Sequence, residues 1–127
     1  MGNKLFDLLA VAGALFLIAG PVFAHHAGTA YDRNNPVTVT GTVTEYEFAN
    51  PHILIHFDVK EKTGAVTRWV AQSGTPKMLF KVGWNRETLK PGDIITLTGF
   101  PAKDGRKTIT VRNLKPPKGA NLTIGAE

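Results

Sequence analysis

The sequence predicts a mostly β fold: a small OB-like barrel, closed or partly open, of five to six strands, with one short helix between strands three and four. Three observations predict it. Apolar residues alternate with threonine and charged residues in short runs. Gly, Pro, Asn and Asp punctuate those runs at regular intervals. One helix-like segment stands between the third and fourth runs, the order in which OB barrels plug one end. A β-sandwich is the alternative architecture.

The chain has 127 residues, and its start reads as an export signal. Met1 to Lys4 is polar with one Lys, and Leu5 to Ile18 is apolar apart from Asp7. Gly20-Pro21 then breaks any helix, and Val22-Phe23-Ala24 offers small residues for cleavage. The apolar run of 14 residues is short of the roughly 20 that span a bilayer as a helix. The expectation is a cleaved signal over residues 1–24, an arm over 25–36 and a barrel domain over 37–127. Such a protein works in the periplasm or outside the cell, with no stable membrane span after cleavage.

Val37, Val39 and Val43 alternate with threonines and define the first strand, Val37 to Phe48. Gly41 marks a bend. After Val43 the apolar phase slips to Tyr46 and Phe48, which places a bulge near Thr44-Glu45. Ala49-Asn50-Pro51 turns the chain into the second strand, His52 to Lys60. Ile53, Ile55, Phe57 and Val59 share one face of it, and His52, Leu54, His56 and Asp58 the other. Glu61 to Gly64 forms a hairpin loop, and Ala65 to Gln72, with Trp69, the third strand. Thr75, Pro76 and Gly83 cap, start and stop a helix over Thr75 to Val82. Met78, Leu79 and Val82 fall on one side of it, and Met78 is expected to pack under the barrel end. Leu89 to Asp93 turns into the fourth strand, Ile94 to Phe100. Asp104-Gly105 turns into the fifth, Lys107 to Leu114, and Asn121 to Ile124 adds a short edge strand.

Composition narrows the function. There are no cysteines, so neither disulfides nor thiolate metal sites enter. The balance is 15 basic against 10 acidic residues, spread along the domain. That is a solubilising surface, or one attracted to lipid head groups or acidic polymers. Export argues against nucleic acid as partner. Ser73, the sole serine, lacks a nucleophile elbow, and no glycine-rich phosphate loop is present. Glu45 and Glu47 share a face, whose ordinary reading is a solvated one. No catalytic set emerges, and an enzyme is the lesser expectation.

The chemistry lies in four histidines, His25, His26, His52 and His56. Cleavage after Ala24 would leave His25 at the terminus, where its amine and imidazole can chelate one ion. A third nitrogen would complete a T-shaped copper site, a histidine brace, because such nitrogens suit Cu(II). His52 and His56 lie four apart on one strand face, roughly 13 Å between Cα atoms, too far to share one metal on an unbroken strand. His52, beside the Asn50-Pro51 turn, is the preferred partner and His56 ranks lower; His26 is a further candidate ligand. The alternative is a non-metal module whose barrel face, with Trp69 and Trp84, takes a glycan, an anionic polymer or a protein. Against it, a barrel this small needs Trp69 in its core.

Taken together, His25-His26, Gly41-Thr42-Val43, Asn50-Pro51-His52, Trp69, Gly83-Trp84, Leu89 to Asp93 and Asp104-Gly105 resemble a family of small exported bacterial proteins of unknown function. In that family a mature start of two histidines and an Asn-Pro-His motif recur. Ala27 departs from the serine more common there. The resemblance spans nearly the whole mature chain. It supports the domain boundaries and the choice of His25, His26 and His52, and implies no established activity.

Overall fold

Alternating burial along β1 (Val37–Glu47), β2 (Leu54–Lys60) and β3 (Val66–Gln72) builds one half of a barrel. The helix α1 (Pro76–Lys81) follows, then β4 (Ile94–Pro101), β5 (Thr108–Lys115) and β6 (Leu122–Thr123). The structure is a computed structural model that describes residues 30–117 and 122–123. The sheet order is β3-β2-β1-β4-β5-β6, and β3 also pairs with β5. That last pairing is parallel, Val70–Gln72 against Thr108–Thr110, and closes five strands into a barrel. The order of elements, the closure and the short helix between β3 and β4 make the fold OB-like.

Long β1 serves both halves. Val37–Thr42 pairs with β4, and Thr42–Glu47 pairs with β2. Its ladder slips between Val43 and Glu45, where the phase of the sequence places a bulge. A second slip lies between Thr98 and Gly99 in β4. Glycine is required there: a Cβ on Gly99 would collide with the Thr110 carbonyl and stand 2.9 Å from Ile109 Cγ1. Such close approach of neighbouring strands accompanies the bulge and the bend of the barrel.

The interior holds Ile53, Ile55, Phe57, Ile95, Leu97, Ile109, Val111 and Leu114, all essentially inaccessible. Three buried polar atoms, Trp69 Nε1, Trp84 Nε1 and Ser73 Oγ, have no hydrogen-bond partner among the described residues. α1 plugs one end. The Thr75 hydroxyl accepts from the Met78 N–H at 3.3 Å and caps its start. At its finish Gly83, at φ +94°, donates to Phe80 O and Trp84 N–H donates to Leu79 O. That is a Schellman end, which satisfies the last carbonyls.

Two expectations are corrected at this end of the barrel. Met78 is 59 % exposed and Val82 57 %, and only Leu79 of the helix is buried. A six-residue helix docks through a narrow stripe, and Val82 has already left the helical conformation at φ −103°. The plug is completed instead by Trp84, at 0 % exposure. A surface-ligand role for Trp84 is therefore excluded. Truncating Trp84 to Ala is expected to cost about 3–5 kcal/mol, whereas Phe80→Ser changes stability by less than about 0.5 kcal/mol; urea unfolding checks both.

A candidate metal centre on the outer face of β1 and β2

The bulge decides what faces outward. Strict alternation from buried Val43 would turn Glu45 and Glu47 inward and Tyr46 outward. The extra residue Thr44 reverses this. Tyr46 pairs with Ile55 and points in, while Glu45 pairs with His56 and Glu47 with Leu54 on the outside. His56 Nε2 and Glu47 Oε1 lie 2.7 Å apart, a short hydrogen bond or ion pair. Ligand atoms of Glu45, Glu47 and His56 lie within 4.8 Å of one another. Among the described residues this is the one such grouping. Two carboxylates and one imidazole suit a divalent transition ion better than Mg²⁺ or Ca²⁺, which prefer oxygen alone.

Charge around the cluster is partly balanced. Asp58, next outward on β2, takes the Arg68 Nε–H at 3.0 Å from β3. The Arg68 guanidinium is held above its usual range by its hydrogen bond to Asp58, then by the charge of Asp58, with a further contribution from Glu45. Arg68 thus lends positive potential to the rim of an otherwise acidic site. Under the cluster, burial pushes the Tyr46 phenol well above its usual range, and its hydroxyl donates to Asn85 O at 3.1 Å.

The histidines fall into three places. His25 and His26 lie outside the described residues. His52 is exposed in the β1–β2 loop, two residues before β2 begins, and no hydrogen bond engages its ring among the described residues. That loop contains a cis Asn50-Pro51 bond, and Ile53 is pulled inward by its N–H bond to Gly74 O at 3.0 Å. His56, which the sequence ranks below His52 because His52 adjoins the Asn50-Pro51 turn, is the imidazole with other ligand groups beside it. Spacing along one strand could not show this, because the partners come from the neighbouring strand.

The aromatic platform is not formed. Trp69 pairs with Phe57 and turns to the same inward side, with ring centroids 6.4 Å apart. It is half-buried at the barrel rim, packed against the core, and Lys107 Nζ lies 5.1 Å from its ring centroid. Trp84 is wholly buried and Trp69 largely committed to the core, so the two do not form a shared exposed surface.

Two outcomes follow. The Glu47–His56 pair is part-exposed, so His56→Ala is expected to shift stability by less than about 1 kcal/mol in urea unfolding. For Tyr46 the folded state holds the phenolic proton more tightly than the unfolded chain. Its contribution to stability is full below the unfolded value of about 10 and is lost as pH rises beyond it. Phenolate absorbance should lag behind that of free tyrosine, and Tyr46→Phe should flatten the alkaline fall in stability.

Comparison with known proteins gives the following. No curated protein matches the chain. Similar solved structures include the ZRD-deleted mutant of TiaS in complex with agmatine, at 21 % identity and TM-score 0.47, over 73 % of this chain and 23 % of that one. A structure of yeast Stn1 and Ten1 is similar at 13 % identity and TM-score 0.43, over 66 % and 43 %. PriB from Ralstonia solanacearum is similar at 16 % identity and TM-score 0.42, over 65 % and 97 %. The chain thus spans less than a quarter of the TiaS mutant and under half of the matched yeast chain. Residues 14–111 match a family described as "Family of unknown function (DUF6152)". The chain belongs to this DUF6152 family.

Proposed function

We propose that the protein is an exported binding module that captures a divalent transition-metal ion, copper(II) foremost, on the outer face of β1 and β2. The observation that carries this reading is the convergence of Glu45, Glu47 and His56 within 4.8 Å. Copper is favoured because it heads the divalent affinity order at mixed nitrogen and oxygen sites. Export is the reading of the apolar run and small residues of 1–24.

Processing after Ala24 would add the amine and ring of His25 to the ligand supply. The register supports His56 rather than His52 as its partner. The chain enters the described structure at the β4–β5 hairpin: Ala30 O accepts from Lys103 N–H at 2.9 Å, and Tyr31 bridges to Ala102. Ala102 N–H bonds Thr108 O, Thr108 pairs with Val70, and Val70 with His56. Those four steps, at about 4.8 Å each, give a path of about 19 Å around the barrel. The chain from His25 to Ala30 spans up to about 18 Å when extended, and side chains on both sides add to the reach. The inward turn of Trp69 and the burial of Trp84 weigh against the alternative of a glycan-binding face.

Copper(II) titration of the processed protein, followed by calorimetry and electron paramagnetic resonance, tests the reading. Sub-micromolar binding with nitrogen hyperfine structure is expected, weakened at least tenfold by His56→Ala and by the pair Glu45→Gln and Glu47→Gln. Equal affinity in the wild type and His56→Ala contradicts it. Arg68→Ala should tighten binding a few-fold, since it removes positive potential from the rim.

A further inference from the structure

The end of the barrel plugged by α1 carries an uncommitted apolar tip. Among the described residues the exposed large apolar side chains are Val66, Met78, Phe80, Val82 and Ile94. Three of these, Met78 at 59 %, Phe80 at 68 % and Val82 at 57 %, fall within five consecutive residues. Lys77 and Lys81 alternate with them, and Arg86 and Lys90 follow, all exposed. Only Glu87 opposes this charge in the segment, and none of the ion pairs among the described residues uses these four cations.

The tip is anchored at both ends. Leu79 and Trp84 are anchored in the core on either side of Phe80 and Val82, and the Thr75 cap and the Gly83 Schellman turn fix both helix ends. Beside Phe80 a shallow groove of about 370 Å³ opens between Phe48, Asn85, Arg86 and Glu87. Met78 and Phe80 flank the buried Leu79 and Val82 follows them, so apolar surface is left in solvent on both sides of the helix. Placement outward is imposed here, because the helix is clamped by its caps and by the two core anchors.

We propose that this tip docks the protein on an anionic lipid surface. Phe80, Met78 and Val82 would enter the head-group and acyl boundary while Lys77, Lys81, Arg86 and Lys90 meet lipid phosphates. Charge complementarity selects this occupant: apolar side chains interleaved with unpaired lysines match the interfacial pattern, in which long cationic side chains reach up to the phosphates. Size argues against a folded protein, because a stable protein interface buries about 800 Å² per partner, and this tip is three side chains and a shallow groove. The docking is peripheral and reversible. It does not depend on the metal reading, since it uses none of Glu45, Glu47 or His56.

Co-sedimentation with vesicles tests it, using the processed protein and two variants that share its N-terminus, so that differences read the tip alone. One variant is Phe80→Ser; the other is Lys77→Glu with Lys81→Glu. Vesicles of phosphatidylcholine with phosphatidylglycerol are expected to bind the wild type, and vesicles of phosphatidylcholine alone to bind it at least tenfold more weakly. Each variant should lose at least tenfold in partitioning onto the anionic vesicles while keeping the wild-type circular dichroism spectrum. Absence of binding to anionic vesicles, or binding that both variants retain, overturns the proposal. So does self-association that Phe80→Ser abolishes in a protein that ignores vesicles, which would make the tip a protein interface.

Discussion

Thr44 is one residue more than the β1–β2 ladder can pair, and the site depends on that surplus. Its neighbours Val43 and Glu45 face consecutive residues of β2, Phe57 and His56. A bulge of this kind bends and twists the strand that carries it, which helps β1 to pair with β4 along one half and β2 along the other. It also shifts the side-chain phase by one. Tyr46 is thereby committed to the interior, and two carboxylates are brought onto the outer face opposite the one histidine of β2. The curvature that closes the barrel and the arrangement of the candidate ligands therefore share one physical origin.

Closure imposes the remaining constraints. Parallel pairing of β3 with β5 over three residues forms the seam, and Gly99 lets β4 come against the Thr110 backbone without a Cβ in the way. The interior so formed is filled by β-branched and leucine side chains and Phe57, and Trp84 fills the end that α1 covers. A six-residue helix cannot turn a broad apolar face to the barrel. It contributes Leu79 and leaves Met78, Phe80 and Val82 outside. The apolar tip follows from the short plug, as the outward carboxylates follow from the bulge.

Much of this is legible in the residues. Strand alternation, turn dipeptides and helix caps locate the described elements to within about two residues, and the slip from Val43 to Tyr46 locates the bulge. The pairing of Glu45 and Glu47 on one face is legible too. What local pattern cannot supply is register. His56 meets Glu45 across a ladder, and only the count of residues through the bulge and the β1–β2 loop decides that it does. Trp69 turns inward opposite Phe57 on β2, as the size of the barrel predicts. Trp84 is different: it is drawn into the barrel end by the Schellman turn that follows α1, which strand or helix periodicity does not see. The sequence places the start of β2 at His52; the strand starts at Leu54, after Ile53 has been tied to Gly74.

The central claim is that the bulge gathers Glu45, Glu47 and His56 into one metal-binding site. Paramagnetic broadening of amide resonances tests it most directly, because it locates a bound ion without altering any ligand. As copper(II) is added to the processed protein in substoichiometric steps, the amides of Glu45, Glu47, His56, Leu54 and Val70 should broaden first and together. Broadening that begins around His52, or stays confined to the N-terminal arm while His56 remains sharp, would contradict the account.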